Sequence, residues 1–323
     1  MHTVIGTDIN KAAQLLTRSD VVAIPTETVY GLAGNALDEE AVLKIYEAKG
    51  RPHFNPLIIH VASAENIKQY AKDIPAACHD LAKTFSPGPI TFLLNKKQTI
   101  PDLVTAGSDK VAVRIPDHPL TLQLLNQLDF PLAAPSANPF GYVSPVTAQH
   151  VYDGLHGKIP YILDGGPCGV GVESTIVGFD EKDNIIIHRL GGISTEEIEQ
   201  LVKKKVTLSL LHQQPHAPGQ LKSHYATGTA LYLGNIPELL KKFAGKKIAV
   251  LSFEKKYPGI EPSMQFQLSP SGDIHEAARN LFRLLRHVDR LGADVILTEP
   301  VPEEGLGAAI NDRLIRAQKI LKN

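Results

Sequence analysis

PTETVYGLAGNALDEEAVLKIYEAKGRPHFNPLIIHV, Pro25 to Val61, is the stretch that decides the fold. A short apolar run, Val21–Ile24, stops at Pro25, and a hydroxyl-rich turn with Thr26, Thr28 and Tyr30 leads to Gly31 and Gly34. A helix is expected over Glu39–Lys49. Asp38 is its N-cap, Glu39 and Glu40 suit the positive end of its dipole, Val42, Ile45 and Tyr46 share one face, and Gly50 stops it. The cationic corner Lys49-Gly50-Arg51-Pro52 follows, then the rigid turn Asn55-Pro56 and a second apolar run ending at His60-Val61. Polar donors and two fixed cations thus stand at the ends of buried elements, where a scaffold holds them against an anion.

The same alternation extends outward. Short β-branched runs bounded by Pro or Gly predict strands at Val21–Ile24, Leu57–Ala62, Ile90–Leu94, Val111–Ile115, Pro131–Ala134, Tyr161–Leu163, Thr175–Phe179 and Ile185–His188. Helices are predicted over Lys11–Arg18, Ile74–Phe85, Pro119–Leu128 and Thr195–Lys203. Residues 204–228 lose periodicity and read as a linker. A second α/β unit follows, with strands at Ala230–Leu233, Ile248–Phe253 and Val295–Thr298 and helices at Ile274–Leu291 and Leu306–Leu321. The expectation is a first domain over residues 1–203, a linker over 204–228, and a smaller Rossmann-like three-layer domain over 229–323.

Bulk properties exclude several classes. The chain of 323 residues is 43% hydrophobic, enough for a real core and two domains. A formal net charge of -1 argues against a broad polyanion-binding face while leaving room for a local basic pocket. Cys78 and Cys168 form no motif and read as reduced thiols. The start MHTVIGTDINKAAQLL lacks the pattern of a signal peptide, and no apolar run reaches membrane-spanning length, so a soluble cytoplasmic protein is expected.

Further motifs carry chemistry. Lys49 and Arg51 are wedged between Gly50 and Pro52, which suits an anion site over a solvated pair. APSANPFGYVSP, Ala134–Pro145, is either a locally hydrogen-bonded loop or a donor loop for phosphate oxygens or a base edge. DGGPCGVGVESTIV, Asp164–Val177, has the glycine density of a backbone nest but fits neither a Walker A loop nor a dinucleotide fingerprint. Arg114 in VAVRIPDHP needs a partner, an internal carboxylate or a ligand's, and Arg189 in HRLGG repeats the arrangement. The thirteen histidines show no zinc spacing, and there is no G-x-S-x-G elbow.

In their order and spacing, PTETVYGL, KGRP…NPL..HV, SPGPIT, VRIPDHP, PSAN…G and GVESTIV resemble the YrdC-type catalytic domain of the threonylcarbamoyl-AMP synthase family, in its long, two-domain form. HAPGQLKSHYAT is similar to that family's interdomain linker, departing from its usual M-K-Y-R at Gln220, Leu221, Lys222 and Ser223. GADVILTEPVPEEGLGAAINDRLIRA resembles its C-terminal domain. The resemblance implies an α/β fold, a twisted, mostly parallel sheet enclosing a large, positively lined cavity. It implies a reaction in which L-threonine, bicarbonate or CO2, and ATP give threonylcarbamoyl-AMP and pyrophosphate. A downstream threonylcarbamoyl transferase complex would then act on tRNA.

The resemblance also implies roles. Thr28, His60, Arg114 and Ser174 would hold threonine, with a backbone contact from Ala134. Lys49, Arg51, Ser136 and Asn138 would form a catalytic K-x-R…S-x-N tetrad around the triphosphate. Asn55, Lys110, Ser144 and Arg189 would complete the nucleotide site, and Tyr225 would close over it. Mg²⁺ would be held mainly by phosphates and water, with no protein metal site. Two rivals stand beside this reading: a module binding double-stranded RNA or tRNA, with weak RNA binding an allowed second activity, and a carbamoyl-adenylate former of hydrogenase maturation, whose paired cysteines are absent from this sequence.

Overall fold

A computed structural model describes residues 1–210 and 225–319. The chain forms two α/β units, each built on one sheet. The large sheet runs, in spatial order, Val4–Gly6, Tyr161–Leu163, Val22–Ile24, Gly31–Asn35, Leu132–Ala133, Ile58–His60, Lys110–Arg114, Ile90–Lys96, Thr175–Phe179, Ile185–Arg189 and Thr207–Leu208, with Ala71–Lys72 added alongside Ile90–Lys96. Parallel and antiparallel pairs are mixed: among the described residues five pairings are parallel and six antiparallel. One cause lies in the opening stretch. Only Pro25–Tyr30 separate Val22–Ile24 from Gly31–Asn35, too few residues for a parallel crossover, so those strands pair antiparallel. The smaller sheet, Ala230–Leu233, Val295–Thr298, Ile248–Ser252 and Gln265–Gln267, is parallel throughout.

The helix over Glu39–Lys49 has the expected bounds. The Asp38 side chain accepts from Glu40 N, and Gly50 ends the helix at φ 61°. Gly31–Asn35, which received no element from the sequence, is a largely buried central strand. A Cβ on Gly34 would lie 3.1 Å from Ile45 Cδ1 and 3.2 Å from the Ala41 carbonyl oxygen, so this glycine lets the helix lie close on the strand. Thr207–Leu208, inside the stretch read as linker, pair with Ile186–Ile187 at the edge of the large sheet. The rest of that stretch, Gln220 to Ser223 included, falls largely outside the described residues.

One buried apolar cluster joins both units, including Val143, Cys168 and Val172 from the first and Leu281, Phe282 and Leu314 from the second. Contact is close: a Cβ on Gly171 would lie 2.4 Å from the Ala278 carbonyl oxygen. Cys78 and Cys168 are buried free thiols. Among the described residues no helix is long and apolar enough to cross a membrane.

Candidate active site

The stop at Gly50 sends two cations into the protein in succession. Lys49 is 3% exposed, and its Nζ donates to the carbonyl oxygens of Ser136 and Asn138, each at 2.5 Å. Burial, then the charges of Arg51 and Arg286, hold its pKa well below the ordinary lysine value. Arg51 turns the other way, donating from Nε to the Asn55 carbonyl at 3.1 Å and from Nη2 to the Pro56 carbonyl at 2.8 Å. Burial lowers it to about 10, with Arg189 acting in the same direction. Carbonyl partners orient these groups without neutralising them: Arg51 keeps its charge for an anion, while burial and two neighbouring guanidinium groups work against the charged form of Lys49, which an anionic guest would restore.

Arg51, His60, Arg114, Ala134, Ser136, Arg189 and Tyr225 line one cavity of about 50 Å³. The large cavity expected from the resemblance is therefore narrow as folded, with Tyr225 and Glu173 among its walls. Of the other expected residues, three join it through hydrogen bonds. Thr28 Oγ1 meets Thr26 Oγ1 at 2.9 Å, and Thr26 is in the wall. Ser174 Oγ meets Thr91 Oγ1 at 2.7 Å and accepts from Arg189 Nη2 at 3.0 Å. Ser144 Oγ donates to Glu173 Oε1 at 2.7 Å. Lys110 lies apart: it begins the strand that ends at Arg114, about 13 Å away along the backbone, and is not in the cavity wall.

Three buried polar groups point to a guest. Among the described residues, neither Oδ1 nor Nδ2 of Asn55 has a partner, Asn138 lacks one at Oδ1, and His60 lacks one at Nδ1. An unpaired buried donor or acceptor costs about 1–3 kcal/mol, so such atoms mark places where a ligand completes the bonding. Burial and then the Arg114 charge lower His60 to about 3, which leaves a neutral imidazole at neutral pH.

Two carboxylates at the cavity were not among the expected site residues. Glu27 Oε1 takes Arg114 Nη2 at 2.6 Å, and its Oε2 accepts from Asp117 N at 3.0 Å. Arg114 thus has the internal partner that the sequence left open. Glu173 is 6% exposed and takes Ser144 on one oxygen and Arg313 Nε on the other at 3.1 Å. Its sequence signal is a charge in the apolar run GVESTIV, which demands a partner. Gly191 is required behind it: a Cβ there would fall 2.3 Å from the Glu173 carbonyl oxygen. Among the described residues no group of three or more His, Cys, Asp or Glu is placed to hold a metal.

Tyr225 adopts φ 64°, a left-handed conformation that costs a side-chain-bearing residue about 1–2 kcal/mol. Its ring stacks on Phe282 with centroids 5.5 Å apart and takes the Arg313 guanidinium at 5.4 Å. Both partners belong to the second unit.

A family model described as telomere recombination matches residues 14–191. A second, described as the C-terminal domain of threonylcarbamoyl-AMP synthase, matches residues 193–318. The threonylcarbamoyl-AMP synthase of Pyrococcus abyssi is 43% identical, over 96% of this chain and 93% of that one. The chain belongs to the threonylcarbamoyl-AMP synthase family. Within the family, the Bacillus subtilis threonylcarbamoyl-AMP synthase is 39% identical over 96% of this chain and 92% of its own. The crystal structure of P. abyssi Sua5 complexed with L-threonine superposes with a TM-score of 0.89 at 41% identity, covering 99% of both chains. Escherichia coli YciO, 20% identical with a TM-score of 0.51 over 59% of this chain, shares the fold of the first unit.

Proposed function

We infer that this chain is an L-threonylcarbamoyladenylate synthase, serving tRNA threonylcarbamoyladenosine modification. The observation that carries the reading is the convergence of Arg51, Arg114 and Arg189 with His60 on one buried cavity, in a chain akin over nearly its whole length to proteins of that name. Three guanidinium groups suit the combination of a polyphosphate and an amino-acid carboxylate.

The chemistry needs positioning more than a nucleophile. Threonine's neutral amine adds to CO2 and loses a proton, giving a carbamate. A carbamate oxygen then attacks the α-phosphorus of ATP as the bond to pyrophosphate breaks. Arg114 binds the threonine carboxylate beside Glu27, and Thr28, Ser174, His60 and the Ala134 backbone fix the rest of the amino acid. The neutral His60 accepts a hydrogen bond from the threonine hydroxyl. Lys49, Arg51, Ser136 and Asn138 hold the triphosphate, with Asn55, Ser144 and Arg189 beside it and Tyr225 as cover. Fixed cations in a dry site stabilise charge where it develops. Mg²⁺ supplies further charge neutralisation when bound. Glu27 and Glu173 are engaged by arginines, which fits an ion carried by phosphate oxygens and water better than one held by a protein cage. A carbamate decays in bulk water, so enclosure protects it. The product is a reactive mixed anhydride, which a threonylcarbamoyl transferase must consume.

Incubating the protein with ATP, Mg²⁺, bicarbonate and labelled threonine tests this. A labelled AMP adduct with threonine-dependent pyrophosphate is expected; the absence of both overturns the assignment.

A further inference from the structure

Ser144 is held by the second unit directly at its carbonyl and, through Glu173, indirectly at its hydroxyl. Its carbonyl accepts from Arg286 Nε at 3.2 Å, and the same guanidinium reaches the carbonyls of His150 at 3.2 Å and Val143 at 2.5 Å. Its hydroxyl donates to Glu173, whose other oxygen is held by Arg313. Arg313 is fully buried on the helix Gly307–Ala317, with its Nη1 on Asp312 at 3.1 Å. Arg316 shares Asp312 at 2.9 Å, which fixes the carboxylate that steadies Arg313.

Glu173 faces the cavity, and its charge is the wrong sign for a polyphosphate. Among the described residues its ion pair is with Arg313, from the other unit and 140 positions away, while Arg189 in the same cavity wall also acts on its charge. We propose that Arg313 is a positioning residue of the nucleotide site: it cancels the Glu173 charge and, through that carboxylate, fixes the Ser144 hydroxyl, so the second unit makes the cavity receptive to triphosphate. The proposal rests on the reading of this cavity as an ATP site. It gives the second unit an electrostatic task distinct from docking. Docking has other means: Asp289 accepts from Tyr142 Oη at 2.8 Å, Arg290 meets Asp153 at 2.5 Å, and the shared apolar cluster continues between the units.

The distinction is testable in the full chain by following threonine-dependent pyrophosphate release. Arg313→Met keeps most of the volume and removes the charge. It is expected to raise the KM for ATP by roughly tenfold or more while changing the KM for threonine by less than about threefold, because it exposes the nucleotide to a buried carboxylate that has lost its ion-pair partner. Adding Glu173→Gln removes that carboxylate, and the double variant should recover the KM for ATP to within about fivefold of the wild type. Arg313→Lys, which retains charge but not the fork, should fall between Arg313→Met and the wild type. A double variant no better than Arg313→Met, or a loss shared equally by both substrates, overturns the proposal. Should Arg313→Met fail to fold, the double variant carries the test, since it buries no unpaired charge; a KM for ATP still tenfold raised would then count against the idea. Failure of the ATP reading is separable: the wild-type protein itself would release no pyrophosphate.

Discussion

Lys49 Nζ lies 2.5 Å from the carbonyl oxygen of Asn138, while the Asn138 side chain keeps an Oδ1 with no partner among the described residues. The lysine therefore ties down the backbone of the Ser136–Asn138 loop as well as adding charge. Lys49→Met should cost stability, because two buried carbonyls lose their donor at about 1–3 kcal/mol. It should also lower pyrophosphate release by roughly 100-fold. Lys49→Arg should recover little of that rate, because a planar fork does not reproduce a compact ammonium seated between two carbonyls. Urea midpoints together with single-substrate titrations read both effects. Near-wild-type turnover in Lys49→Arg would show that charge alone matters.

Arg51 donates from both Nε and Nη2 to backbone carbonyls, and among the described residues it forms no ion pair with a carboxylate. Its charge is therefore left for a guest. Arg51→Ala is expected to cut kcat/KM for ATP by roughly 100-fold or more, with most of the loss in kcat if the group acts on charge formed in the transition state. Steady-state kinetics at saturating threonine decide this, and an unchanged kcat would reduce Arg51 to a ground-state contact.

Much of this arrangement is legible in the sequence. The helix Glu39–Lys49 carries its own cap, face and stop, so its bounds follow from local chemistry. The cationic corner is readable because Gly50 and Pro52 leave little conformational choice around it. Gly31–Asn35 is not readable as a strand. Its glycines serve the approach of Ala134 and Ile45, and such contacts depend on residues far away in sequence. Glu27 and Glu173 are hidden for the same reason: a carboxylate announces its need for a partner but does not name it. Arg313 leaves a faint signal, since it sits among Ile310, Leu314 and Ala317, where the helix is otherwise apolar and buried. Its partner Glu173 is fixed only once the second unit docks.

Arg114 and Glu27 form an ion pair of 2.6 Å with side chains only 5% and 11% exposed. Removing one member of such a pair leaves an uncompensated charge, so Glu27→Gln should destabilise the protein by roughly 3 kcal/mol. Threonine would bring a replacement carboxylate to Arg114. Saturating L-threonine should therefore raise the Tm of Glu27→Gln by more than it raises the wild-type Tm. Equal shifts in a thermal melt would remove Arg114 from the threonine site.

His60 supplies the pH test. Its pKa is about 3 in the folded chain against 6.5 ordinarily, through burial and then the Arg114 charge. Between those values the unfolded chain holds a proton that the folded chain does not. Stability is thus fully expressed above about pH 6.5 and is lost as pH falls toward about 3. Glu173, with its pKa lowered, contributes in the same direction, losing stability as acid protonates it. His60→Gln removes one titrating group from this limb. Over about pH 4 to 6, the slope of unfolding free energy against pH should flatten by up to ~1.4 kcal/mol per pH unit. Urea unfolding at several pH values measures that slope. If the two proteins give parallel curves, the imidazole is already protonated in the folded chain, and its role as a neutral acceptor for threonine fails with it.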